Sequence, residues 1–174
     1  MEFNSLLHDN IRRSGYAAPT HVQRHGIPIV LAGHDLMACA QTGSGKTALY
    51  VLPGLQHAMQ HAGALPASTA TTTTATADEK TEPSDGTFPS PTVVILAPTR
   101  ELATGIHYEL RKFGDGTGAR SVLLVGGVSV QAQAAELQRG VDIVVATPGR
   151  ILDLVVNGAM SLADVGFLAV EEVD

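Results

Sequence analysis

The chain has 174 residues, 44% of them hydrophobic and only 4% aromatic, with a formal net charge of −6. That length suits one ordinary domain with a sizeable core, not two. The acidic balance excludes binding nucleic acid through a general basic field, so any such binding must use a few placed groups.

No apolar run approaches the roughly 20 residues that span a bilayer, and Glu2 and His8-Asp9 stand where a signal peptide would carry its apolar core. The expectation is a soluble intracellular protein, cytoplasmic or nuclear, with no membrane partner. Residues 4 to 14 read as an amphipathic helix with Leu6, Leu7 and Ile11 on one face, ended by Gly15. After Pro19, Thr20 can cap a second short helix, which Pro28 is expected to interrupt before Ile29-Val30-Leu31. His21 with His25, and His57 with His61, share the spacing of two ligands on one helix face, yet neither pair has an evident third ligand, and both read as surface residues.

Leu36-Met37-Ala38-Cys39 reads as the first strand of the core, with Cys39 as a buried, inert thiol. As the single cysteine it rules out an internal disulfide and a multi-cysteine metal site. The run Ala40-Gln41-Thr42-Gly43-Ser44-Gly45-Lys46-Thr47 follows, then a helix-compatible stretch from Ala48 to Gln60. Strand, glycine turn, helix is the order a phosphate-binding loop needs. Without Cβ atoms, Gly43 and Gly45 let the backbone turn so that N–H groups converge on an anion at the positive end of the helix. Lys46 can then reach the outer phosphates, and the Thr47 hydroxyl can ligate Mg2+. Ala40 stands where the general motif opens with glycine.

From 61 to about 90 the composition turns to Thr and Ala, with Leu65 and Phe88 as the only large apolar side chains, and the segment is expected to be a disordered surface insertion. Order resumes at Thr92-Val93-Val94-Ile95-Leu96, a buried parallel-type strand. Pro98-Thr99-Arg100-Glu101 opens a helix to about Phe113. Ser121 to Val125 is a strand stopped by Gly126-Gly127, and a helix spans about Ser129 to Gln138. Val141 to Ala146 is a further strand, after which Thr147-Pro148-Gly149-Arg150 begins a helix. Val165 to Val170 is the last strand and runs into Glu171-Glu172-Val173-Asp174.

Alternating strands and helices imply an α/β fold, a doubly wound parallel sheet of the P-loop nucleoside triphosphatase kind. Ligands in such sheets gather at the carboxyl ends of the strands. Glu171 and Glu172 therefore stand where a triphosphatase needs acidic groups. Pro98-Thr99-Arg100, Gly126-Gly127 and Thr147-Pro148-Gly149-Arg150 offer backbone N–H groups, hydroxyls and guanidinium groups at helix starts, a combination that grips a sugar-phosphate backbone without reading bases. Helix capping alone accounts for each set taken singly.

In order, Gly15-Tyr16-Ala17-Ala18-Pro19-Thr20-His21-Val22-Gln23, the phosphate loop, Pro98-Thr99-Arg100-Glu101-Leu102-Ala103, Gly126-Gly127, Thr147-Pro148-Gly149-Arg150 and Glu171-Glu172-Val173-Asp174 resemble the motif set of the DEAD-box RNA helicases. The stretch from Ile27 to Gln41 is especially similar to the Vasa-type branch. The resemblance implies one RecA-like ATP-binding domain over 1–174, with an adenine-recognition region at 1–33. Gln23, with Tyr16 nearby, would recognise adenine. Thr42, Gly43, Ser44, Gly45 and Lys46 would hold the phosphates of ATP, with Thr47 on Mg2+. Glu172 would position or deprotonate the attacking water, and Glu171, where the family has Asp, would assist Mg2+ through water. Pro98, Thr99, Arg100, Gly126, Gly127, Thr147, Pro148, Gly149 and Arg150 would line the RNA backbone.

Glu171 lengthens the acidic arm by one methylene, Val173 replaces Ala, His21 replaces a usual Pro, and the family's upstream aromatic residue would fall before Met1. The chain stops at Asp174, before the second RecA-like domain, so a fragment or truncated product is expected. Such a chain should be a monomer that binds nucleotide and single-stranded RNA weakly and does not unwind duplexes alone. Two other readings stay open: a degenerate nucleotide-binding or scaffold module with little ATPase activity, and a DNA-directed or metabolic P-loop enzyme.

Overall fold

Four apolar runs rich in valine and leucine form a parallel sheet in the computed structural model, which describes residues 3–61 and 88–172. The strands are β1 (Val93–Leu96), β2 (Ser121–Leu124), β3 (Ile143–Ala146) and β4 (Phe167–Val170), in the order β2-β3-β1-β4. Val93 pairs with both Ile143 and Phe167, and Ser121 with Ile143, so the carboxyl ends of all four strands finish level. Each strand is shorter than its apolar run, because the flanking residues make the turns into and out of the ladder.

The pleat sends alternate residues to opposite faces. Val93, Ile95, Ile143 and Val145 pack with Leu55, Ile106, Leu110 and Phe113 on one side. Val94, Val122, Leu124, Val144 and Ala146 pack with Leu137, Ile151 and Leu154 on the other. The first face is covered by α1 (Ser5–Arg13), α3 (Lys46–His61) and α4 (Arg100–Phe113), the second by α5 (Val130–Leu137) and α6 (Pro148–Val156). A doubly wound α/β sheet is the result, as the alternating pattern implies.

Three expectations fail. Helix α2 (His21–Leu31) runs straight through Pro28 instead of breaking there. The proline forfeits only the bond to the Arg24 carbonyl, at an exposed turn, and the helix closes beyond it with Ala32 N–H on Pro28 O at 3.0 Å. Leu36–Cys39 is not a strand, and Cys39 is exposed, not buried. The segment lies across a cleft from β4, whose Leu168 and Val170 are 60% and 50% exposed. At its end the ammonium of Lys46 takes the Ala40 carbonyl at 2.5 Å, which turns that oxygen toward the loop and away from a ladder. The expected insertion falls, over 62–87, outside the described residues, as do Val173 and Asp174.

Candidate functional site

Helix α3 begins at Lys46, so the positive end of its dipole and its first N–H groups lie at the glycine loop. Gly43 and Gly45 have φ of 81° and 90°, which side-chain-bearing residues rarely adopt. A Cβ on Gly45 would also strike the Gln23 amide. Lys46 Nζ donates to Ala40 O at 2.5 Å and to Gln41 O at 3.1 Å, so its charge is folded onto the loop itself. Ser44 Oγ is buried with no hydrogen-bond partner among the described residues.

Gly43, Lys46 and Thr47 line a cleft of about 980 Å³ whose other wall includes Tyr16, Glu171 and Glu172. The acidic pair reaches it because Glu171 N–H extends the β4 ladder onto Leu96 O at 2.9 Å, level with the loop. Glu172 is the one described non-glycine residue in the left-handed region, at φ 55°. Strain of that kind persists where surroundings over-determine the backbone. The hydroxyl of Thr47 and the two carboxylates form a hard-oxygen set, which suits magnesium.

Tyr50, one turn beyond Thr47 on α3, was not anticipated. Its buried hydroxyl has no hydrogen-bond partner among the described residues. Burial, and then the nearby Glu171 carboxylate, push its pKa well above the ordinary 10.0. A tyrosine four residues after a phosphate-loop lysine is indistinguishable in sequence from a core aromatic.

Gln23 is 3% exposed. Its Oε1 accepts from Thr20 N–H at 2.9 Å and its Nε2 donates to Gly45 O at 3.0 Å, so it ties the start of α2 to the glycine loop. Tyr16 stands on the cleft wall with its ring edge-on to Phe113, centroids 5.2 Å apart, and with Lys112 Nζ 5.3 Å from its centroid.

The hydroxyl and arginine sets follow β1, β2 and β3, three neighbouring strands, and so share one sheet edge. Thr99 Oγ1 accepts from Leu102 N–H at 3.3 Å and caps α4. Thr147 N–H donates to Leu124 O at 3.0 Å, and Pro148 and Gly149 form the first turn of α6. Arg100 lies against Gly127, where φ is 77° and any Cβ would come within 2.5 Å of its Nη1. Pro98, Thr99, Arg100, Gly127, Pro148 and Gly149 are exposed, and Gly126 and Thr147 half-buried. Arg150 differs: it is 9% exposed and its guanidinium turns inward.

Residues 20–174 match the family model described as DEAD/DEAH box helicase. The chain is 43% identical over 165 residues to DEAD-box ATP-dependent RNA helicase 52A of Oryza sativa subsp. japonica, a match that covers 95% of this chain and 26% of that protein. Its fold is similar to the crystal structure of a hypothetical ATP-dependent RNA helicase from Sulfolobus tokodaii, with a TM-score of 0.74 and 28% identity over 97% of this chain and 41% of that one. The chain thus spans about a quarter of the length of the curated relative it matches.

Proposed function

Because this chain belongs to the DEAD/DEAH box helicase family, we propose that it is the ATP-binding and RNA-backbone-binding half of an ATP-dependent RNA helicase of the Vasa-type branch. Joined to a second RecA-like domain, it would couple ATP hydrolysis to local unwinding of RNA duplexes. The observation that carries this reading is the single cleft that Lys46 and Thr47 share with Glu171 and Glu172, residues more than a hundred positions apart in sequence.

A triphosphate entering the cleft draws Lys46 off the Ala40 and Gln41 carbonyls, so the free loop is held closed by the charge that will bind the ligand. The loop N–H groups and the α3 dipole take the phosphate oxygens. Magnesium, when bound, neutralises charge on those oxygens; the Thr47 hydroxyl and Glu171 are the groups that would hold it. The Glu172 carboxylate orients a water and accepts its proton as the oxygen attacks. Gln23 and Tyr16 flank the adenine side. Thr99, Arg100, Gly127 and Thr147 would hold the RNA backbone along the neighbouring edge, and the protein would act inside the cell as a monomer.

A nucleotide-binding module without turnover is the second reading, favoured by Glu171 in the place of Asp. ATPase assays on the chain joined to a family second domain, with and without RNA, separate the two. RNA-stimulated turnover is expected, lost in Lys46→Ala; nucleotide binding without turnover would leave the second reading standing. Loss of a partner domain's arginine finger can cost about 10³–10⁵ in rate, so the isolated chain should turn over barely at all.

A further inference from the structure

Arg150 and Gln133 form a buried strut beneath the Gly126-Gly127 turn. Arg150 Nη1 donates to Gln133 Oε1 at 2.5 Å and to Val128 O at 3.0 Å. Gln133, 4% exposed, spends its own amide N–H groups on Leu123 O at 3.3 Å and Val125 O at 3.2 Å. The first turn of α6 is thereby linked, through α5, to the backbone on both sides of Gly126-Gly127. Among the described residues the one acidic side chain paired with the guanidinium is the exposed Asp153, at 4.0 Å from Nε, and that nitrogen has no hydrogen-bond partner there.

Burying a guanidinium is costly, and an apolar pair would fill the same space more cheaply. Here the charge is spent on one carbonyl of an exposed turn, Val128 O, and on Gln133 Oε1, whose amide holds Val125 O at the other end of that turn. The turn in turn carries Arg100, whose guanidinium rests on Gly127. We propose that Gln133 and Arg150 are positioning residues: they set the 126–129 turn so that its amides, and Arg100 upon it, meet the sugar-phosphate backbone, and Arg150 does not itself touch a phosphate. This inference rests on the RNA-binding reading above.

The test uses Gln133→Met, Arg150→Met and the double variant, in the 174-residue chain with a fluorescent oligouridylate and a non-hydrolysable ATP analogue. Each single variant is expected to weaken RNA binding about tenfold, and the double variant no further, because the two side chains act as one unit. Gln133→Met should leave the affinity for the ATP analogue unchanged. The slope of log affinity against log salt should also be unchanged in both singles, since no phosphate contact is lost. Amide exchange should quicken at 126–129 and not elsewhere, which a general loss of stability would not produce. Additive losses, a shallower salt slope in Arg150→Met alone, or unaltered exchange at the turn would each overturn the proposal. Exchange is measured without RNA, so if the unmodified chain binds no RNA, the functional reading fails while the strut is still decided. A Gln133→Met chain that does not fold leaves Arg150→Met to give the same readouts.

Discussion

Glu171 is the residue of the candidate site that departs from the family's acidic pair. Its carboxylate stands one methylene further from the backbone than the family's Asp, in a cleft where magnesium would demand near-ideal octahedral distances. Reverting Glu171→Asp, in the chain joined to a family second domain, is expected to raise the ATPase rate by about tenfold, the usual lower scale for a group that orients metal ligands; an unchanged rate would refute it. Gly127 is constrained twice, by its φ of 77° and by Arg100 across it. Gly127→Ala should therefore cost about 1–2 kcal/mol by denaturant unfolding, and it should also weaken RNA binding as Arg100 is displaced. Of the site residues, those of the glycine loop, the strand-end acids and the exposed Thr and Arg positions were legible in sequence, because glycine, hydroxyl and charge at a strand end have few uses. Arg150 was legible as a residue but not in orientation. Gln133 was missed, although a glutamine four residues before buried Leu137 on the apolar face of α5 was the available signal.

Elements were legible wherever a run of valine and leucine met a capping residue. Thr99 and Ser129 begin α4 and α5 as a hydroxyl before an apolar periodicity predicts, and Gly126 ends the run that holds β2. What failed depends on partners distant in sequence: Leu36–Cys39 has strand composition but finds no ladder, and Pro28 costs too little at an exposed turn to end α2. Helix α4 carries a pH-sensitive contact. His107 Nε2 lies 3.1 Å from Ser121 Oγ on β2, and burial above all, with Arg111 adding, holds its pKa below 6.5, against the Ser121 carbonyl and Glu136. The unfolded chain therefore takes up the proton more readily than the folded one. Stability from this group is complete above about pH 7.5 and is lost as the pH falls through 6.5 toward the folded value. Thermal unfolding at pH 7.5 and 5.5 should show a lower midpoint in acid, with the difference reduced in His107→Gln. His57, its pKa lowered by burial and then by His61, contributes in the same direction.

At the scale of the molecule, a net charge of −6 and one exposed arginine among the three sets proposed to face RNA would make the affinity for it only weakly electrostatic. The expected slope of log affinity against log salt is about −0.7 for each phosphate neutralised on a single strand. A titration from low to moderate salt should give a slope near that of one or two phosphates, flattened in Arg100→Met. A steep slope would point to a basic surface other than this edge. The parallel register makes such a shared edge inevitable, since three strands in one sheet finish level.

The Gln23 amide bridges two segments: its oxygen accepts from the backbone N–H of Thr20 and its nitrogen donates to the backbone carbonyl of Gly45, which leaves one N–H and one oxygen lone pair over. On the reading proposed above, a purine that met those remaining groups would lean on the same side chain that anchors Gly45, in the segment proposed to embrace the phosphates. Base recognition and phosphate capture would then be coupled through one amide, so that a change at one end of the nucleotide alters the grip on the other.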